Sequence, residues 1–317
     1  MTALPVRLAH ELETRPEEQR WLIEGLWSAE AVGIVGGEPK CCKSFLALDM
    51  AVAVAGGVPC VRRFPTTQRG RVLLFAAEDS LPVVRQRLVG IAAACGLSLE
   101  SLDIHVIVAP VVRLDVDLDC ARLEDTVRTL RPTLLVLDPF VRLHRIDENV
   151  SAEVAPLLDF LRGLQRRHQV AVVLVHHARK GAAHMRAGQA LRGSSELHAW
   201  GDSNLYLRRN AEDELQLTVE HRAAASTSGL RLSLSADGDA LALRVIDTAA
   251  PAPTTPPPTS PPDRVEAILR LAAAPMTQRE IRDLAKLRSQ TIGDALAALV
   301  TDGRIARTDG RYRLVTR

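Results

Sequence analysis

Four short apolar runs punctuate the first two-thirds of the chain. They are "AVGIVGG" (31–37), "GRVLLFAAEDS" (70–80), "TLLVLDPF" (133–140) and "VAVVLVHHARK" (170–180). Each opens as nearly continuous Val, Ile, Leu or Ala, which suits strands buried on both faces rather than strands with one wet face. Between them the period lengthens. Ser44 to Ala55 predicts a small-residue helix, about 82–95 a polar-patterned helix, and 151–168 an amphipathic helix capped by Ser151. "IHVIVAP" (104–110) predicts one more short strand. Buried strands separated by helices imply an α/β fold: a mostly parallel sheet with helices on both faces. "NLYLRR", "LQLTVEHR" and "LRLSLS…LALRVID", from 204 to 247, alternate apolar and polar residues and predict an antiparallel extension of that sheet.

The period then disappears. "AAPAPTTPPPTSPP" (249–262) is rich in residues without a backbone donor and reads as a semi-extended linker. This divides the chain into an N-terminal arm (1–25), an α/β domain (26–248), the linker (249–262) and a C-terminal domain (263–317). The C-terminal pattern resembles a winged helix-turn-helix. Thr277 would cap a helix with Glu280 as its box partner, and a turn near Leu287 would lead to a second helix over 289–301. Arg288, Ser289, Gln290 and Thr291 would begin that recognition helix. Arg304, Arg307, Arg311 and Arg313 would line a wing closed by an Asp-Gly turn. The same small domain could bind duplex DNA or another protein.

Composition narrows the class. At 317 residues with 47% hydrophobic content, the chain can bury a large core. Its apolar runs are far shorter than the ~20 residues of a membrane span, so no membrane partner is expected. Five cysteines without CxxC spacing suit reduced thiols in a cytoplasm. Residues 263–317 hold 11 Lys/Arg against 7 Asp/Glu, a modest excess of +4 that fits a polyanion partner or a solvated face equally.

The chemistry gathers at the first strand–helix junction. "GGEPKCCKS" (36–44) follows the phosphate-loop pattern GxxxxGK(S/T) except that Cys42 replaces its second glycine. Gly37, Glu38, Pro39, Lys40, Cys41, Cys42, Lys43, Ser44 and Phe45 are the expected nucleotide contacts. Only four of the 40 basic residues are lysine, and two of these, Lys40 and Lys43, flank this loop. A compact ammonium reaches between β- and γ-phosphates better than a planar guanidinium. Lys43 is expected on those phosphates, with Ser44 and Asp138 on Mg²⁺ and Glu78 polarising the attacking water. Both acids also suit the bland role of helix N-caps. His176 and His177 are adjacent on a strand and point to opposite faces, so they are not expected to chelate one zinc ion. His177, nearer the strand tip, is the expected γ-phosphate sensor. At Cys42 a side chain must crowd the phosphates or turn away, and a helix N-terminus could lower the pKa of its thiol.

The ordered series "GEPKCCKS", "FAAEDS", "LLVLDPFVRLHRIDEN", "VVLVHHARK" and "LRGSSELHAWGDSNLYL" resembles the RecA-type ATPases of the plasmid RepA group, relatives of DnaB-type hexameric helicases. It spans about residues 15–235. The resemblance implies a RecA-like ATPase domain that uses ATP and Mg²⁺, with Lys43, Glu78, His177 and Arg192 catalytic. Arg192 would be a finger entering the neighbouring subunit's site, and Arg222 a second finger candidate. A finger in trans implies a homo-oligomer, a hexameric ring acting on single-stranded DNA. Three activities stay open: an ATP-driven helicase or translocase, a DNA-bound regulator or loader that uses nucleotide for assembly, and a nucleotide-binding module without turnover.

Overall fold

The computed structural model describes residues 4, 6–12, 16, 19–178, 195–210, 214–237, 240–246, 261–271, 274–285, 289–308 and 310–314. They fall into two units, Met1–Thr248 and Ala249–Arg317. The first begins with a small hairpin, β1 (Trp21–Ile23) and β2 (Trp27–Ser28). Next come β3 (Val32–Gly37), α1 (Lys43–Gly56), β4 (Val72–Ala76), α2 (Leu81–Ala94) and β5 (Ile104–Val106). They are followed by α3 (Asp117–Leu130), β6 (Leu134–Asp138), α4 (Ser151–His168), β7 (Ala171–His177) and α5 (Ser195–Trp200). The unit closes with β8 (Ser203–Arg209), β9 (Leu215–His221), β10 (Thr227–Asp237) and β11 (Ala240–Val245).

A nine-stranded sheet runs β11-β10-β9-β8-β3-β7-β6-β4-β5. From β8 to β5 the pairings are parallel, and from β8 to β11 antiparallel. Strand alternation divides the core in two. Val35, Leu74, Val136, Val173 and Val175 join α1 and α2 on one face; Ile34, Leu73, Leu135, Leu137 and Leu174 join α3, α4 and α5 on the other. The hairpin supplies Leu22, Ile23, Leu26 and Trp27 to the first face, all within 1% of full burial.

Two expectations are corrected. β8 belongs to the parallel set rather than the antiparallel extension, because α5 precedes it and supplies the crossover that parallel pairing with β3 requires. Ser151 is the first residue of α4, and Val150, in extended conformation, holds the cap position.

In the second unit α6 (Pro261–Leu271) precedes β12 (Met276–Thr277), α7 (Gln278–Ala285), α8 (Ser289–Thr301), β13 (Ile305–Thr308) and β14 (Arg311–Leu314). Its strands form an antiparallel sheet in the order β12-β14-β13 around a core of Val265, Ile281, Ile292, Leu296, Leu299 and Tyr312. Thr277 and Glu280 make a reciprocal capping box: Thr277 N–H donates to Glu280 Oε2 at 2.7 Å, and Glu280 N–H to Thr277 Oγ1 at 3.3 Å. Leu287 and Arg288 lie outside the described residues. No described helix is long and apolar enough to cross a membrane.

Candidate functional site

β3 delivers the chain into the loop beside β8. A Cβ on Gly37 would lie 2.3 Å from the Leu207 carbonyl oxygen, so close strand packing demands glycine there. Residues 38–42 then turn back to start α1. Cys42 holds φ 59° and ψ 26° at the cap of α1, and Lys40 holds φ 66°. Both are left-handed conformations that L-residues adopt at a cost of about 1–2 kcal/mol. The glycine pattern is therefore a real conformational requirement, and Cys42 meets it under strain. Burial pushes the Cys42 thiol up, against the opposing charges of Arg209, Lys43 and Arg87. That direction is opposite to the lowering that a helix N-terminus could give. Lys43 folds inside the loop, 6% exposed, and its Nζ donates to the Glu38 carbonyl at 2.7 Å. Burial lowers its pKa. Its ammonium is held by a neutral carbonyl, a partner that a phosphate can displace.

Sheet parity brings the other groups to the same mouth. His177 shares the parity of Val173 and Val175, so it faces α1, while His176 faces the second core, 5.9 Å from the Phe140 ring. Gly37 and His177 are register partners, and Ala178 N–H donates to the Gly37 carbonyl at 2.8 Å. Asp138 ends β6 on the α1 face, 9% exposed. Burial raises its carboxyl to about 6, opposed by a hydrogen bond from the Ser44 hydroxyl and aided by Asp79 and Glu78. Glu78 lies two residues beyond β4, where Arg142 Nε donates to Glu78 Oε1 at 3.1 Å. Neither acid is a helix cap: Ser80 caps α2, and Pro139 precedes the 3-10 turn after β6.

Lys40, Cys41, Cys42, Lys43, Ser44, Phe45, Glu78, Asp138 and His177 line one open cleft of about 270 Å³. Gly37, Glu38 and Pro39, also expected there, do not line it, although the Glu38 carbonyl accepts from Lys43 Nζ. Arg87 of α2 also lines the cleft, ion-paired to Asp79 and stacked 5.0 Å from the Phe45 ring centroid. Sequence reasoning missed it, although an arginine nearly two turns into the helix after "AEDS" was the available signal. Arg209 was missed too; it shares the parity of Leu207 at the loop end of β8, and its charge acts on Cys41 and Cys42. The structure does not bring Arg222 here. It follows β9 at the opposite end of the sheet, on the Trp200 and Ala199 carbonyls, about 17 Å away at strand rise. Arg192 lies outside the described residues.

The Ser44 hydroxyl and the Asp138 carboxylate present hydrogen-bonded oxygens beside a buried ammonium, a donor set that suits a hard cation such as Mg²⁺. The loop, the N-terminus of α1, Glu78, Asp138 and His177 sit at the carboxyl ends of parallel strands, where open α/β sheets bind ligands. Fold and cleft together define a RecA-like P-loop domain.

Comparison with known proteins agrees. The chain belongs to an AAA domain family, AAA_25, whose profile matches residues 2–183, more than half its length. Two solved structures are similar in fold. One is an isolated ATPase domain, 14% identical with a TM-score of 0.51, the match covering 65% of this chain and 82% of that one. The other, a DnaB-like replicative helicase described with its interactions with primase, is 13% identical with a TM-score of 0.52, covering 68% of this chain. The match spans 57% of that helicase chain.

Proposed function

We propose that this protein is an ATP-dependent motor acting on DNA, a helicase or translocase of the plasmid RepA kind. The observation that carries the reading is the convergence of Lys43, Ser44, Glu78, Asp138 and His177 on one cleft. Lys43 leaves the Glu38 carbonyl for the β/γ-phosphates, and loop N–H groups cradle their oxygens. Ser44 and Asp138 hold Mg²⁺, which when bound neutralises phosphate charge. Glu78 orients a water in line with the γ-phosphorus. The water oxygen bonds to phosphorus, the bond to the ADP oxygen breaks, and the water proton passes to Glu78 and on to solvent, leaving ADP and phosphate. His177 reads the γ-phosphate from β7.

Assembly and DNA contact belong to the same reading. Arg192 of one subunit reaches the next subunit's cleft in a homo-oligomeric, hexameric ring that encloses single-stranded DNA. The support is the RepA-like motif order and the fold shared with a DnaB-like replicative helicase. The 263–317 domain is a winged helix tethered by 249–262, with α8 as its recognition helix. Of its expected wing residues, Arg304 pairs with Glu266 and Arg311 with Glu280, both within this unit. Arg307 and Arg313 are the exposed wing residues left for a duplex. Phosphate release by the full chain, with and without single-stranded DNA, tests the reading: a motor gives stimulated turnover. The strained Cys42 favours a second reading, a DNA-bound regulator or loader that binds ATP for assembly alone. That protein would bind nucleotide yet release no phosphate under either condition.

A further inference from the structure

Two cysteines stand in sequence between β3 and α1, Cys41 and Cys42. On a strand, consecutive side chains part to opposite faces. Here the chain has left the strand, with Cys42 in the left-handed conformation, and both cysteines line the same open cleft. Cys41 is buried, its sulfur hydrogen-bonded to the Arg209 backbone; Cys42 is half-buried and close enough to feel the charge of Cys41. The other three cysteines are also free but lie away from the cleft. Cys60 is fully buried, Cys95 Sγ meets Arg62 Nη1 at 3.4 Å, and Cys120 Sγ donates to the Leu114 carbonyl at 3.3 Å. Among the described residues no group of three or more His, Cys, Asp or Glu is arranged to hold a metal ion. The ligand that suits Cys41 and Cys42 is therefore one that two sulfurs satisfy.

We propose that Cys41 and Cys42 form a dithiol site for a trivalent arsenical, whose capture closes the cleft to nucleotide. The closure rests on the nucleotide reading above; the dithiol site does not. The chemistry balances without an oxidant. The Cys42 S–H adds across the As=O bond of an oxo-arsenical, leaving arsenic bonded to sulfur and to a hydroxyl. Cys41 then displaces that hydroxyl, which leaves as water with the Cys41 proton. Two As–S bonds form, one water departs, and arsenic stays trivalent. Burial raises the pKa of both thiols and so disfavours ligands that demand thiolates. This condensation consumes S–H groups instead, and both protons leave in the water. Because the residues are consecutive, the second bond forms within the chain, so the pair holds arsenic far more tightly than either thiol alone. The bound arsenic lies beside Lys43, in the space the loop offers to phosphate.

The test uses the full chain and phenylarsine oxide, with circular dichroism to check the fold of each variant. Native mass spectrometry counts the arsenical bound, and a fluorescent ATP analogue reads the cleft. The native chain should take up one phenylarsine oxide with loss of one water. Cys41→Ser and Cys42→Ser should each weaken capture by about a hundredfold, the loss of the intramolecular bond, while Cys95→Ser and Cys120→Ser bind as the native chain does. 2,3-Dimercaptopropanol should strip the arsenical where equimolar glutathione does not. On the native chain, Mg-analogue at ten times its Kd should slow capture about tenfold, and the captured arsenical should abolish analogue binding. Native-like capture by either Cys41→Ser or Cys42→Ser overturns the proposal. So does an analogue that binds the native chain yet neither protects it nor is excluded by the arsenical. A native chain that binds the analogue no better than Lys43→Ala overturns the nucleotide reading alone, since the serine variants are read without nucleotide.

Discussion

Replacing Cys42 by glycine separates two effects that the loop superimposes. In the folded chain Cys42 pays about 1–2 kcal/mol for its left-handed backbone, a cost glycine does not incur. Glycine in turn gives the unfolded chain freedom worth about 0.5–1 kcal/mol. The half-buried thiol also loses some packing against the core, so the two sides nearly cancel. Cys42→Gly should shift the nucleotide-free Tm by no more than about 3 °C, since about 1 kcal/mol moves a large domain by ~2–4 °C. Nucleotide affinity is not subject to that cancellation. The CH₂SH group lines the cleft, and its removal should tighten Mg-ATP binding about fivefold to tenfold, or ~1–1.4 kcal/mol. Cys42→Ala keeps the Cβ and the strain but deletes sulfur, so its position between the two shows which atom crowds the phosphates. Titration calorimetry with a non-hydrolysable ATP analogue reads all three chains. An affinity for Cys42→Gly equal to native would refute the reasoning that the side chain impairs the site.

Glu78→Gln should bind ATP normally and lose turnover by about 10²–10⁴-fold in single-turnover assays, because a water-polarising group acts on the chemical step. In the proposed site Mg²⁺ would use the Asp138 carboxylate, whose pKa is pushed up to about 6; Mg²⁺-dependent nucleotide affinity should fall as pH drops below about 6, approaching tenfold per unit. That raised pKa also favours the metal-free fold at low pH, and the benefit is lost progressively as pH rises from about 4 to about 6. Asp138→Asn should therefore stabilise the metal-free chain by about 3 kcal/mol at pH 8, roughly half that at pH 5 and little below pH 4, in urea denaturation. Asp49, 1% exposed, pairs with Arg62 and accepts the Val61 N–H at 2.6 Å; Asp49→Ala should cost about 3–5 kcal/mol by the same measurement. Gly37→Ala places a methyl 2.3 Å from the Leu207 carbonyl. It should lower stability even without nucleotide, a loss that a purely phosphate-binding glycine would not show.

The parallel sheet was legible because each buried strand announces itself alone, as "VLLFA" and "LLVLD" do, without knowledge of its neighbours. α3 was not, since it buries only Leu123 and Val127 and its acidic first turn reads as a loop. β8 has the alternation of an antiparallel strand, and its direction depends on the short helix α5, too brief to carry a periodic signal. Parity foresaw that His176 and His177 part company, and it also explains Arg209. The Arg142–Glu78 pair joins residues 64 apart. No local pattern links positions so separated, and only the adjacency of β4 and β6 brings them together.

In the proposed function, Lys43 exchanges the Glu38 carbonyl for phosphate in a cleft at the ends of β3, β4, β6 and β7. A crystal structure of the full chain with Mg²⁺ and a non-hydrolysable ATP analogue tests it directly. The predicted result has the triphosphate on the loop N–H groups, Lys43 Nζ on its oxygens, the cation on the Ser44 hydroxyl, and Glu78 and His177 toward the γ-phosphate. Nucleotide bound elsewhere, with Lys43 still on the Glu38 carbonyl, would contradict it.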